Sequence, residues 1–142
     1  MRILVDTNVF LDLLLKREPY FEDGVRFIEH CKANRNELYI NAMSFRDIEY
    51  VLRKQINDKN LIKDIMNKIY CLITKIIPIT PDDAIEAIFN PGKDFEDTLI
   101  ANSAERAMLD CIVTSNPKHF VDSKIRAFSL KEINKAFEKN YK

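Results

Sequence analysis

Residues 1–12 read MRILVDTNVFLD, and their pattern changes at Asp6. Ile3-Leu4-Val5 is an unbroken apolar run, the signature of a strand buried on both faces. The run stops at Asp6. Thr7 and Asn8 follow, residues suited to turns and helix starts. Val9, Phe10, Leu13 and Leu14 then recur at helical spacing. A strand over 2–6 and a helix over 8–16 are expected, with a carboxylate at the junction. In open α/β sheets ligands bind outside this end of the strands. Helix capping accounts for an isolated Asp6. The ligand-binding reading gains from other acids at matching places further on.

The rest of the composition excludes several classes. At 142 residues the chain reads as one domain over 1–142, long enough to bury roughly two-thirds of its unfolded surface. A hydrophobic fraction of 46% and a charged fraction of 31% are those of an ordinary globular protein. Two glycines and no Gly-rich phosphate loop argue against a nucleotide-binding fingerprint. Formal net charge is zero, which neither announces a nucleic-acid binder nor excludes one. Cys31, Cys71 and Cys111 are too far apart for a zinc knuckle and odd in number. Buried, reduced thiols in a cytoplasmic protein are expected. The N-terminal apolar run is broken at Asp6 and reads as neither a signal peptide nor a transmembrane span.

Strands and helices alternate along the whole length. Helices are expected over Tyr20 to about Ala33, Ser44 to about Asn57, Leu61 to Thr74, Pro81 to about Phe89 and Asp94 to about Met108. Strands are expected at Glu37–Asn41, within Lys75–Thr80, at Cys111–Thr114 and at Arg126–Phe128. Pro78 makes the third of the five strands an edge or a short one. Ser129 and Glu132 form a capping box for a last helix to about Lys139. Alternation of this kind gives an α/β fold with a mostly parallel sheet covered on both faces.

Three further stretches carry acids. In DFEDTLIANSAERAML, from Asp94, helical phase puts Asp97 on the side of Ile100, Ala101, Ala104 and Met108. A carboxylate on an apolar face is costly unless something positive meets it. The helix N-terminus supplies part of that, and a divalent metal ion would supply far more. Asp94 serves equally well as helix cap or as ligand. In YINAMSFRDIEYVL, Ser44 and Asp47 have capping spacing. Phase favours Glu49 as the inward acid, whereas position near a strand end favours Asp47. In CIVTSNPKHF, Thr114 and Asn116 follow an apolar strand as Asp6 does. Asn116 can offer a neutral oxygen, although Asn-Pro is commonly a turn. His30 and His119 have no second His at ligand spacing and read as structural or surface residues. Three carboxylates and an Asn suit a hard, oxygen-preferring cation, Mg²⁺ or Mn²⁺, rather than zinc. Such an ion can promote phosphodiester hydrolysis.

VDTNVFLDLL, SFRDIEYVL, DFEDTLIANSAE and IVTSNPKHF, in this order and at these distances, resemble a PIN-domain ribonuclease over nearly the full chain. The similar subgroup contains toxins of bacterial and archaeal toxin–antitoxin pairs. The resemblance implies a three-layer α/β/α fold and Mg²⁺- or Mn²⁺-dependent hydrolysis of RNA. It implies that Asp6, Asp47 and Asp97 are catalytic metal ligands, with Asp47 where the family usually has Glu. Asn116 stands where many members carry a fourth acid, which makes a one-metal site plausible. His119 stands where the similar subgroup often has an acid. Asn8 and Thr114 match supporting polar residues, and Asp94 and Glu96 are alternative or outer ligands. A cognate antitoxin is an implied partner. So is a homodimer, through the stripe Phe45–Ile56 or Leu61–Leu72, though such stripes more often pack in a core. The competing readings are a PIN-like binding module that has lost catalysis, and a haloacid-type hydrolase. The latter is disfavoured because Asn8 replaces the second acid of its D-x-D nucleophile motif.

Overall fold

The computed structural model describes residues 1–140. Its strands are β1 (Arg2–Val5), β2 (Glu37–Asn41), β3 (Lys75–Ile77), β4 (Cys111–Val113) and β5 (Ala127–Phe128). Its helices are α1 (Thr7–Leu14), α2 (Phe21–Ala33), α3 (Ala42–Gln55), α4 (Lys59–Leu72), α5 (Pro81–Phe89), α6 (Phe95–Arg106) and α7 (Leu130–Asn140). A 3₁₀ turn spans Pro117–Phe120. The strands form one sheet in the order β3-β2-β1-β4-β5, and every pairing is parallel. β3 is an edge strand, as Pro78 requires.

β1 is the middle strand. Ile3 lies opposite Leu38 of β2 and Cys111 of β4, and Val5 lies opposite Val113. Ile3 and Val5 face one side and Leu4 the other, which explains the continuous apolar run. On the first side they meet Phe10 of α1, Phe27 of α2, Ile48 and Leu52 of α3, Ile69 of α4 and Ile133 and Phe137 of α7. On the second side Leu4, Tyr39 and Ile112 meet Ile100, Ala101 and Ala104 of α6. The result is a three-layer α/β/α fold. Phe27 and Phe137 stack at 6.4 Å between ring centres. Truncating such a buried ring costs about 3–5 kcal/mol.

Three local expectations are corrected, at the start of α3, at the start of α4 and at Cys71. Ser44 does not cap α3: Asn41, at the end of β2, accepts the Met43 N–H at 2.9 Å, so the helix starts directly off the strand and Ser44 is buried inside it. Asn caps as well as Ser, and the strand end supplied the extended backbone a cap needs. The next helix begins at Lys59 rather than Leu61, because Asp58 accepts the N–H groups of Asn60 and Leu61. The helical stripes of α3 and α4 are interior, with Ile48, Leu52, Ile62, Ile65 and Ile69 all buried. Cys71 is exposed, while Cys31 and Cys111 are buried. The capping box of α7 is present, with Ser129 N–H donating to Glu132 and Glu132 N–H donating to Ser129 Oγ. Among the described residues no helix is long and apolar enough to cross a membrane.

Candidate metal centre

A parallel sheet sends all its strands out at one edge, and β1 leaves between β2 and β4. Asp6 is the first residue beyond β1. Its N–H donates to the Val113 carbonyl at 2.9 Å, which continues the ladder one step and fixes its position. Its backbone is extended, and Oδ1 caps α1 by accepting the Thr7 N–H at 2.8 Å. Oδ2 accepts the hydroxyl of Thr114 at 2.8 Å. Thr114, 1% exposed at the end of β4, is thus the residue that aims Asp6. Capping and site geometry are the same arrangement here, so the two readings of Asp6 do not compete.

α6 delivers the next acids. Asp94 caps it, accepting the Asp97 N–H at 2.9 Å. Glu96 and Asp97 both lie in its first turn, and 17% of the Asp97 side chain is exposed. Burial raises the Asp97 carboxyl above the usual range, and the charge of Asp6 raises it further. Burial likewise raises Asp6, against its two hydrogen bonds, with a further upward push from Asp47. Glu96 is pushed up to about 7, first by a hydrogen bond with Asp47, then by burial and the charges of Asp47, Asp94 and Asp97. Asp6, Asp47, Glu96 and Asp97, from three segments, thus lie near enough to feel one another's charge, while the ligand atoms that lie closest together are those of Asp94, Asp97 and His119.

Asp47 lies in the second turn of α3, because that helix starts at Ala42. Glu49, the competing acid, points elsewhere. It pairs with Arg53 at 3.4 Å and lines a groove between α3 and α4 with Ile56, Ile62 and Met66. Asp47 and Glu49 are both half-buried, and of the two it is Asp47 whose charge reaches Asp6 and Glu96. Asn8 is exposed in the first turn of α1.

The loop after β4 brings Asn116 and, against expectation, His119. His119 Nδ1 lies 2.7 Å from Asp97 Oδ2, and its Nε2 lies 2.8 Å from the amide nitrogen of Asn116. An amide nitrogen only donates. With Asn116 so oriented, Nε2 accepts and Nδ1–H donates to Asp97. The signal was in the sequence: Pro117 starts a 3₁₀ turn, and residues three apart in such a turn eclipse. Asn116 and His119 therefore belong together.

Among the described residues, no Lys or Arg forms an ion pair with Asp6, Asp47, Asp94, Glu96 or Asp97. Like charges crowded in this way raise one another's proton affinity, and a cation relieves them. Ligand atoms of Asp94, Asp97 and His119 lie within 4.8 Å of one another, a spread that one ion can span. Oxygen donors with one imidazole suit a hard or borderline divalent ion. Beside this centre a groove of about 210 Å³ runs between α6 and the 3₁₀ turn, lined by Asp97, Asn102, His119 and Lys124 among others. One more acid was missed. Asp12 of α1, 5% exposed, accepts the Ser115 hydroxyl at 3.2 Å and lies 3.7 Å from Arg17, tying α1 to the loop after β4.

Comparison with known proteins agrees with this architecture. No curated protein sequence matches the chain. Among solved structures, FitAB bound to a DNA fragment superposes with a TM-score of 0.70 at 18% identity, over 90% of this chain and 94% of that one. PAE2754 from Pyrobaculum aerophilum gives 0.68 at 17% identity, over 98% and 90%. VapBC2 from Rickettsia felis, bound to a promoter DNA fragment, gives 0.65 at 16% identity, over 91% and 98%. At these identities the likeness concerns the fold. The PIN domain family model matches residues 2–118, a span from β1 through the loop that carries Asn116. With that match and the parallel sheet leading its acids to one edge, the chain belongs to the PIN domain family.

Proposed function

We propose that this protein is a metal-dependent endoribonuclease, the toxin of a toxin–antitoxin pair, acting through the centre built on Asp6, Asp47 and Asp97. The observation that carries the reading is the convergence of these carboxyls, with Glu96, where burial and mutual charge raise Asp6, Asp97 and Glu96. A stable fold does not need such crowding. Asp6 and Asp97 would hold Mg²⁺ or Mn²⁺, with Asp47 beside them and Asp94 and Asn116 at the margin. When bound, the ion supplies the positive charge that offsets a phosphodiester and its transition state. The chain's part is orientation. Thr114 and the Thr7 N–H fix both oxygens of Asp6, and His119 holds Asp97.

RNA as substrate and an antitoxin as partner rest on the family and on the solved relatives. One of these is a toxin–antitoxin complex from Klebsiella pneumoniae, at TM-score 0.60 and 20% identity over 84% of this chain and 90% of that one. In this reading residues 1–142 act as one PIN unit in the cytoplasm. The test is cleavage of structured RNA with Mg²⁺, Mn²⁺ or chelator. Native protein should cut with either ion and not with chelator, and Asp97→Asn should cut at least about a hundredfold more slowly. Equal cutting by Asp97→Asn, or cutting in chelator, would overturn the proposal. A binding module without catalysis would bind RNA and cut under no condition.

A further inference from the structure

We infer that His119 is a direct ligand of the bound ion and tilts this centre toward Mn²⁺ over Mg²⁺. This rests on the metal-dependent reading above and goes beyond it. The imidazole is not a bystander to the acids. Its Nδ1 lies 2.7 Å from Asp97 Oδ2 and its Nε2 2.8 Å from the Asn116 amide; an ion on Nδ1 places the ring proton on Nε2, and the Asn116 amide then turns its oxygen to accept it. Neighbouring ligands on an octahedral ion with bonds of about 2.1 Å sit about 3 Å apart. The Asp97–His119 pair is already near that separation, and loss of the shared proton frees Nδ1 for an ion set to one side of the line between them. Asp94 completes a three-sided set within 4.8 Å.

Asp97 therefore has two chemically different kinds of neighbour. Asp6, Asp47 and Glu96 offer only oxygen. Asp94 and His119 offer oxygen and nitrogen. Mg²⁺ keeps to oxygen donors and water, whereas imidazole nitrogen suits first-row transition ions. An ion that touches Asp97 on the His119 side is thus selected for its tolerance of nitrogen. His119 is 43% exposed on a surface turn, so replacing it leaves the core intact.

The experiment is binding and electron spin-echo spectroscopy of Mn²⁺ on the full chain, with calorimetric titration of Mn²⁺ and Mg²⁺, for native protein, His119→Asp and His119→Gln. Native protein should show nitrogen-14 modulation on the Mn²⁺ signal, and both variants should lose it. Loss of an outer-shell partner already costs metal sites about 10–100-fold in affinity. The Mn²⁺-to-Mg²⁺ affinity ratio should therefore fall by about tenfold or more in His119→Asp, with Mg²⁺ held as tightly as before or tighter. Mn²⁺ bound without nitrogen coupling, or a ratio unchanged in His119→Asp, would overturn the role of His119 while leaving the metal centre standing. No Mn²⁺ or Mg²⁺ binding by native protein would overturn both.

Discussion

Asp83 and Asp6 are both carboxylates drawn from water near the start of a helix, and the chain treats them differently. Asp83, 3% exposed, receives the Arg106 guanidinium at 3.1 Å on each oxygen and the Thr80 N–H at 2.9 Å. Arg106 also donates to the Pro78 carbonyl at 2.7 Å, so the pair ties α5, α6 and the end of β3 into one unit. Asp6 receives a hydroxyl and an N–H, and its charged neighbours include Asp47 and Asp97. Where an acid serves the fold, a permanent cation comes with it. At the sheet edge the acids come without one, which leaves the position for a cation from solution.

That contrast predicts opposite outcomes for similar substitutions. Asp97→Asn should lower RNA cleavage at least about a hundredfold, the range for losing one charge-stabilising element in a catalytic site. Its melting temperature without metal should hold or rise, because a repelling charge is gone. A marked fall in melting temperature would break the comparison. Arg106→Ala should do the reverse. It strands the buried Asp83 and should cost about 3 kcal/mol in denaturant unfolding, with cleavage per folded molecule unchanged.

The edge acids should also set a pH dependence. A carboxyl held above its unfolded value keeps its proton in the folded state where the unfolded chain has released it, so stability falls as pH rises through that window. For Glu96 the window runs from 4.5 to about 7, and Asp6 and Asp97 shift in the same direction. In chelator the melting temperature should therefore fall from pH 5 to pH 7. Glu96→Gln should flatten that slope, and added Mn²⁺ should offset it. A slope unaltered by Glu96→Gln would show that the acids do not crowd in solution. The smallest effect belongs to Glu49→Gln. Its exposed pair with Arg53 should matter by less than about 0.5 kcal/mol, and cleavage should not change, because Glu49 faces the α3–α4 groove.

The fold was legible because its signals are local. Ile3-Leu4-Val5 could only be a strand covered on both faces, and helical stripes alternate with such runs throughout. The site was half legible. Asp6 and Asp97 stand out because each breaks a local pattern, a carboxylate where apolar residues should continue. Asp47 against Glu49 was not decidable, because their difference of about 200° around α3 gains meaning only once the helix has a sheet edge to face. The pairing of His119 with Asn116 was legible in the Pro117 turn, whereas its contact with Asp97 was not. Its partner Asp97 is 22 residues away in sequence, and no spacing rule links a 3₁₀ turn to a helix N-terminus. The start of α3 was misplaced because two good caps, Asn41 and Ser44, stand three residues apart.

The contact between Thr114 and Asp6 joins positions 108 apart in the chain. Synthesis therefore makes Asp6 well before the hydroxyl that orients it. Until Thr114 is made, the growing chain carries Asp6 without that anchor. On the proposed reading, a product that ends before β4 lacks the Thr114 anchor and should leave RNA uncut.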